Sequence, residues 1–183
     1  MQGSADLPGL APRAIEELFV VVDAMQTFSV KLQCYMVEIY KGELRDLLLP
    51  KNARERPKLE VKQSAEGFVV VKNSTMREIR DMDELNEIFD KGLGGRQVRK
   101  TLMNEESSRS HLIFAIVVES TNKMNGKKQI GKLSFIDLAG SESSKKTGTD
   151  KEGQLEANAI NQSLSALGNV IGALAEGAKF IRY

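Results

Sequence analysis

The stretch with the most chemical content is Phe135–Glu142, which reads Phe-Ile-Asp-Leu-Ala-Gly-Ser-Glu. The pattern predicts a buried strand that stops at an acid, Asp137, and turns at a glycine, Gly140. In phosphate-binding α/β folds, ligands lie just beyond the carboxyl ends of strands, where an aspartate can hold the water shell of Mg²⁺. A glycine there lets a backbone N–H approach a terminal phosphate. The alternative is a strand followed by an ordinary turn, because Asp-x-x-Gly is short enough to arise by chance.

A second polar stretch, Asn104–His111, comes before a long apolar segment. Serine hydroxyls such as those of Ser107 and Ser108 are hard oxygen ligands that suit Mg²⁺. Taken alone, these serines are better explained as a helix or turn cap, and Arg109 as a surface charge. We interpret His111, the one histidine of the chain, as a structural hydrogen-bonding group, because it has no triad to join and too few partners for a metal site.

Two long strands are expected to bring these polar stretches together. Leu112–Thr121 carries apolar residues on both faces, which is typical of a buried strand. Asn125-Gly126 is a hairpin turn signal, and Ile130–Asp137 is predicted to return antiparallel beside the first strand. Ser108 and Asp137 then lie at the same edge of one hairpin. This geometry supports a shared site independently of any family.

The other elements are predicted from apolar periodicity, caps and turns. They are a helix that begins near Pro12, a strand over Val30–Met36, a hairpin made of Leu59–Lys62 and Phe68–Val71, a helix from the Asp81/Glu84 capping box to Gly92, and a long helix over Leu155–Glu176. The long helix has an apolar stripe and, on its other face, a neutral polar surface that could lie along a filament.

Composition narrows the class of protein. With 183 residues, 41% hydrophobic and 28% charged, the chain is expected to form one globular domain, and its net charge of +1 gives no global field toward nucleic acid or membrane. Cys34, the one cysteine, excludes an internal disulfide and is expected to be buried and inert. We find neither a signal peptide nor an apolar run of the roughly 20 residues that a membrane span needs.

Two segments nearly match the phosphate-loop pattern G-x-x-x-x-G-K-[ST], namely Gly94–Thr101 and Gly140–Thr147. Both lack the second glycine, and a backbone with Arg99 or Lys145 at that position cannot wrap a phosphate as closely. Both are therefore rejected as phosphate loops.

Three stretches in this order resemble the kinesin motor domain: Asn104–His111, Asp137–Glu142 and Asn161–Ile171. They are similar to the family's switch I, its switch II and its long microtubule-facing helix. Further details look most like the kinesin-like calmodulin-binding protein branch of C-terminal kinesins. The resemblance implies an α/β fold, a partial P-loop NTPase-like mixed sheet flanked by helices, without the phosphate-loop strand and the C-terminal elements.

The resemblance also implies a role for each site residue. Residues 1–183 would be the central portion of one motor domain, with switch I at 104–111, switch II at 137–142, a tubulin-facing loop at 143–153 and the long helix at about 155–176. ATP and Mg²⁺ would be the cofactors. The nucleotide would be bound by Asn104, Ser107, Ser108, Asp137 and Gly140, and Mg²⁺ would be bound by Ser108 and, through water, by Asp137. Catalysis would involve Arg109, Gly140 and Glu142, with an Arg109–Glu142 ion pair that closes the switches, and microtubules would be bound by Lys145, Lys146, Asn161 and Gln162.

The function implied is that of a microtubule-based motor in the cytoplasm, on the microtubule cytoskeleton. The parent protein would be a microtubule-stimulated ATPase and a dimer through a coiled coil outside this chain. Because the family's phosphate loop would lie upstream of Met1, we expect the chain alone to have negligible nucleotide affinity and no turnover. Because flanking strands of the family's sheet are also missing, we expect an exposed sheet edge and self-association or poor solubility. The alternative is a kinesin-like module that holds microtubules without ATP. A small GTPase-like switch is disfavoured, because the Asn-Lys-x-Asp pattern is missing.

Overall fold

The computed structural model describes residues 3–4, 6–50, 52–97, 109–140 and 151–181. In these residues, helices and a hairpin surround a sheet of five strands. The elements in chain order are α1 (Leu10–Ala24), β1 (Phe28–Tyr40), β2 (Glu43–Asp46), β3 (Glu60–Gln63), β4 (Val69–Lys72), β5 (Arg77–Ile79), α2 (Met82–Gln97), β6 (His111–Asn122), β7 (Lys128–Asp137) and α3 (Lys151–Ala175).

The sheet has the order β2-β1-β6-β7, and β5 pairs with another part of β1. Every pairing among the described strands is antiparallel. The predicted hairpin of β6 and β7 is confirmed, and its register sets Leu112 opposite Asp137. The acid that ends β7 therefore lies beside the first residues of β6.

The prediction of a buried strand that ends at Asp137 is wrong for most of β7. Phe135 is buried, but Ile136 is 57% exposed. The physical reason is position: within the described residues, β7 pairs on one side only, with β6. By contrast, β6 lies between β1 and β7 and is buried along most of its first half, as predicted.

The larger core lies on the face of the sheet that α1 and α2 cover. Side chains alternate along a strand, so Leu32, Cys34 and Met36 of β1 share this face. The fully buried Phe114 of β6 packs between two other rings, with centroid distances of 4.9 Å to Phe89 of α2 and 6.0 Å to Phe135 of β7. This core fixes α2 against the sheet and so determines where the end of α2 lies.

The predicted end of the second helix at Gly92 is wrong, because α2 continues to Gln97. Gly92 has a packing role instead. A Cβ at this position would collide with the side chain of Met36, 2.8 Å from its Cε and closer still to its Sδ. The glycine thus allows α2 to lie close to β1, and the additional helical turn carries Arg96 to the edge of the sheet.

The predicted start of α2 and end of α3 are confirmed by their hydrogen bonds. Asp81 Oδ1 accepts from the N–H of Glu84 at 2.8 Å, and Glu84 Oε2 accepts from the N–H of Arg80 at 2.9 Å. The Glu84 side chain thus reaches one residue further back than in a standard capping box. After α3, Gly177 takes a φ of +64° and donates to Leu174, while Ala178 donates to Ala173, which is a Schellman motif.

Cys34 is fully buried, as predicted. Burial raises the pKa of its thiol to about 12. A thiol with so high a pKa is almost never ionised near neutrality, so it is inert as a nucleophile. Among the described residues, no helix is both long and apolar enough to cross a membrane.

Candidate functional site

The candidate site lies where the beginning of β6, the end of β7 and the end of α2 meet. Its centre is Arg96, a cation that is 6% exposed. Nη2 of Arg96 donates to the backbone oxygen of Ser110 at 2.8 Å, and Nη1 donates to Asp137 Oδ2 at 3.2 Å. One guanidinium group thus holds together the residue that precedes β6 and the residue that ends β7.

A buried acid of the neighbouring strand β1 completes this arrangement. Glu38 of β1 is 4% exposed, and its Oε1 accepts from the Ser110 hydroxyl at 2.7 Å. The same oxygen lies 3.6 Å from Nε of Arg96. We call Glu38, Arg96, Ser110 and Asp137 the buried polar network. A buried charge is tolerated only when it is paired and hydrogen-bonded. Each member of this network forms a hydrogen bond or an ion pair with at least one other member.

Asp137 differs from the other members of this network, because 46% of its side chain is exposed. Only Oδ2 takes part in the contact with Arg96. The carboxylate is therefore held in place from the protein side while it faces solvent. These properties fit an acid that reaches a metal-bound water, which was the role implied for it. A magnesium ion held by a hydroxyl, phosphate oxygens and water does not need several carboxylates, and the described residues contain no cluster of three His, Cys, Asp or Glu side chains.

The segment after β7 is held from the opposite face of the sheet. His111 is the first residue of β6 and shares a face with Ile113 and Ala115, because side chains alternate along the strand. Its Nδ1 accepts from the N–H of Ala139 at 3.0 Å, and its Nε2 lies 2.7 Å from the hydroxyl of Ser163 in α3. The interpretation of His111 as a structural hydrogen-bonding group is confirmed.

The environment of His111 favours the neutral imidazole. Burial lowers the pKa of His111 below its ordinary value, and the nearby positive charge of Arg96 lowers it further. A neutral ring has one donor and one acceptor nitrogen. Since Nδ1 accepts from Ala139, the proton lies on Nε2 and is donated to Ser163, whose hydroxyl donates in turn to the backbone oxygen of Ile160 at 2.7 Å.

The structure places some predicted site residues and not others. Arg109 lies directly before Ser110 and β6, Asp137 ends β7, and Gly140 is three residues further on. Asn161 and Gln162 are exposed on α3, beside Ser163. The other predicted residues lie outside the described residues, and they are Asn104, Ser107, Ser108, Glu142, Lys145 and Lys146.

Sequence reasoning missed three members of the buried polar network: Glu38, Arg96 and Ser110. Glu38 carried a signal, because it is an acid within a strand of apolar residues and a buried acid requires a partner. Arg96 lies in the segment that we rejected as a phosphate loop, and the structure agrees with that rejection where it describes the segment, since Gly94–Gln97 is helical. No local pattern identifies Arg96 as the partner, because the two residues are far apart in sequence.

Two open clefts lie elsewhere, one of about 910 Å³ and one of about 1100 Å³. Both run along β2 and the segment that follows it. Their walls mix acidic and basic side chains, and neither is lined by Asp137, Ser110 or His111. Neither cleft is therefore part of the candidate site.

Comparison with known proteins gives a consistent result over the whole chain. The family model for the kinesin motor domain matches residues 1–183. Kinesin-like protein KIN-14E of Arabidopsis thaliana is 50% identical over 182 residues, which cover 99% of this chain and 14% of the relative. Human kinesin-1 heavy chain is 40% identical over 178 residues, which cover 96% of this chain and 18% of that protein.

The fold is also that of solved kinesin structures. One, described as the structure of a fast kinesin, superposes with a TM-score of 0.81 at 36% identity and covers 98% of this chain. A second contains the C-terminal motor and motor homology domain of Kar3Vik1 and superposes with a TM-score of 0.77 at 29% identity. The chain spans 50% and 42% of these two structures, so it corresponds to part of their length.

Proposed function

Because this chain belongs to the kinesin motor domain family, we propose that it is the nucleotide-sensing and microtubule-facing portion of a microtubule-based motor. Its relatives with kinesin-14 names are consistent with the C-terminal branch that the sequence indicated. One observation carries the proposal. Arg96 binds Ser110 and Asp137 together, so the ends of the two polar stretches, 104–111 and 137–142, meet at one point.

The proposed division of the chain follows from this meeting point. Residues 104–111 are switch I, residues 137–142 are switch II, and residues 143–153 face tubulin. The helix that follows was predicted over about 155–176, and in the structure it begins earlier, at Lys151. Each switch is adjacent to a strand end that the buried polar network holds. Movement of either segment would therefore change the contacts of the same guanidinium group, that of Arg96.

The proposed nucleotide is ATP with Mg²⁺, bound at the edge where β6 begins and β7 ends. Ser108 and, through water, Asp137 would hold the metal ion, while Asn104, Ser107 and the N–H of Gly140 would contact the nucleotide. Bound Mg²⁺ neutralises the negative charge that develops on transferring phosphates. The contribution of the chain is to orient these groups, and Arg96 orients Asp137 by occupying one of its two oxygens.

The proposed closing contact is an ion pair between Arg109 and Glu142. Arg109 directly precedes Ser110, which is fully buried and held by Arg96 and Glu38. An ion pair between two loops forms only when both loops have closed. The pair would therefore report that nucleotide is present, and Glu142 could pass on a proton from the attacking water.

The proposed microtubule surface comprises the loop with Lys145 and Lys146 and the polar face of α3 with Asn161 and Gln162. The two described residues of this set are exposed, as binding requires. Lysines that meet an acidic surface bind less strongly at high salt. We propose accordingly that the protein resides on microtubules of the cytoplasm, and that the parent is a dimer through a coiled coil outside this chain.

Steady-state ATP hydrolysis by the parent protein, with and without microtubules, tests the proposal. We expect microtubules to stimulate hydrolysis, and we expect Asp137→Asn to reduce the stimulated rate by about tenfold or more, since it weakens the orientation of a charged site. Asp90→Asn is the matched control, because Asp90 is exposed on α2, and it should retain the rate of the natural protein.

The rival function has a distinct outcome in the same experiment. A protein that binds microtubules but hydrolyses no ATP would be a non-catalytic kinesin-like module. That result would contradict the proposed motor.

A further inference from the structure

The link through His111 has no role in the function proposed above, yet it joins three parts of the molecule. The first is the N–H of Ala139, which lies between Asp137 and Gly140. The second is the imidazole of His111 at the start of β6. The third is Ser163 of α3, which directly follows Asn161 and Gln162. Two hydrogen bonds, of 3.0 and 2.7 Å, therefore connect the proposed nucleotide-sensing segment to the proposed microtubule-binding helix.

This link is well placed to act as a rigid connection. His111 is 7% exposed and Ala139 is 5% exposed, so water competes little for their hydrogen bond. The ring has one acceptor and one donor, and both are used. Ser163 also donates to the backbone oxygen of Ile160 one turn earlier, which fixes its hydroxyl. Rotation of the His111 ring or of the Ser163 hydroxyl would break at least one of these hydrogen bonds.

Apolar packing does little to hold α3 over its second half. Leu167, Ile171 and Leu174 are 39%, 57% and 52% exposed. The described contacts that hold α3 therefore lie in its first half and near its middle, at the buried Ala157 and where Ser163 meets His111. A short, directional contact at that point transmits displacement better than a broad apolar surface, which can slide.

We propose that His111 is a positioning residue that couples the segment after Asp137 to helix α3. It moves the two segments together, so that a shift of Ala139 on nucleotide exchange displaces Ser163 and the microtubule-facing residues beside it. This inference rests on the proposed function, because it gives the coupling between the two proposed sites a physical carrier. His111 itself contacts neither the nucleotide nor the microtubule.

The test uses three substitutions on α3 in the parent protein. Ser163→Ala removes the hydroxyl that accepts from His111 and leaves the bond to Ala139 in place. Ser163→Thr retains a hydroxyl that can make the same contacts in a helix. Ile171→Ala is the control on the same helix, because Ile171 is 57% exposed on the apolar stripe, away from the polar face of α3. The measured quantity is the ratio of microtubule-stimulated to basal ATP hydrolysis.

We expect Ser163→Ala to lower this ratio about two- to tenfold, the range that corresponds to one hydrogen bond, with an unchanged basal rate. Ser163→Thr and Ile171→Ala should keep the ratio of the natural protein. An unchanged ratio in Ser163→Ala would overturn the inference while the motor function stands, and so would an equal loss in Ser163→Thr. If microtubules did not stimulate the natural protein, the proposed function would fail and this inference with it.

A spectroscopic measurement tests the link without any substitution. His111 is the one histidine of this chain, and comparison with the spectrum of a His111→Gln variant assigns its imidazole ¹⁵N signals in the parent protein. We expect the proton on Nε2, since Nδ1 must accept from Ala139. A proton on Nδ1 would show that the link does not exist, even if Ser163→Ala failed to fold.

Discussion

On one face of the sheet, α1 and α2 bury a continuous apolar cluster, whereas on the opposite face a second cluster buries just Tyr35, Val37 and Ala115 in the described residues. The first face ends, at the site, in the buried polar network around Arg96. The second face ends in His111, whose imidazole ring makes two hydrogen bonds. The same edge of the sheet is therefore held on one face by the buried polar network and on the other face by the hydrogen bonds of His111.

This difference separates the fixed part of the molecule from the part that can transmit motion. Close-packed interiors resist small displacements, so α2 and the strands beneath it behave as one body. Helix α3 has a half-exposed apolar stripe and a directional link to the sheet. We therefore expect substitutions on the first face to cost stability, and substitutions along the His111 link to affect coupling.

Phe114→Ala is expected to have the largest effect on stability. Phe114 is fully buried and contacts two other rings, so its truncation should reduce the free energy of unfolding by about 4 kcal/mol. Ile171→Ala on the exposed stripe of α3 is the control and should cost at most about 0.5 kcal/mol. Urea unfolding measures both, and equal losses would remove the contrast between the two faces.

Arg96→Ala is expected to cost about 3 kcal/mol, because it leaves Glu38 buried without its cation. The loss should lie at the low end for a buried pair, since Asp137 is half-exposed and can be rehydrated. Lys91→Ala is the matched control. Lys91 forms an ion pair with Glu87 that is open to solvent, and such pairs contribute about 0–1 kcal/mol. A loss for Arg96→Ala no larger than that of the control would show that the buried polar network does not stabilise the site.

Two glycines of α2 should respond with opposite signs when replaced by alanine. Gly92→Ala forces Met36 to move and should cost about 1 kcal/mol after the gain in helix propensity is subtracted. Gly94 has open space around it, so Gly94→Ala should stabilise by about 0.5–1 kcal/mol. Thermal unfolding would distinguish the signs. A gain at both positions would mean that α2 does not lie as close to β1 as described.

The smallest expected effect is a dependence of stability on pH. The pKa of His111 is lowered in the folded state, first by burial and then by Arg96. Between this lowered pKa and the unfolded value of about 6.5, the unfolded chain binds more protons, so stability falls as pH falls. The contribution of the neutral His111 to the free energy of unfolding is fully present above the unfolded pKa. Unfolding measured between about pH 5.5 and 7 should show this slope, and His111→Gln should abolish it. The same slope in both proteins would contradict the buried, neutral imidazole.

Local elements were predictable from the sequence, because their signals are local. The β6/β7 hairpin follows from alternation and a turn signal, and the cap at Asp81 and the stop at Gly177 follow from residue type. The role of Gly92 was not predictable, since a glycine late in a helix can end it or allow close packing, and Met36 decides which. The exposure of β7 depends on which elements lie beside it in the fold, and the residues of the strand itself do not reveal this.

The candidate site was predicted in part for the same reason. The hairpin alone predicted that Ser108 and Asp137 lie at the same edge. Ser108 lies outside the described residues, and Ser110, two residues further on, is joined to Asp137 through Arg96. Arg96 could not be predicted, because a cation in a helix is usually solvated and its partner Glu38 is distant in the chain. The link from His111 to Ser163 likewise joins residues that no local pattern relates.

On the proposed function, the state of the nucleotide at the Asp137 edge determines how tightly α3 binds to microtubules. The most direct measurement is the microtubule dissociation constant of the parent protein with a non-hydrolysable ATP analogue and with ADP. We predict that the two constants differ by about tenfold, a typical coupling between sites, and that Asp137→Ala abolishes the difference. Equal constants in the natural protein would show that the two proposed sites are not coupled.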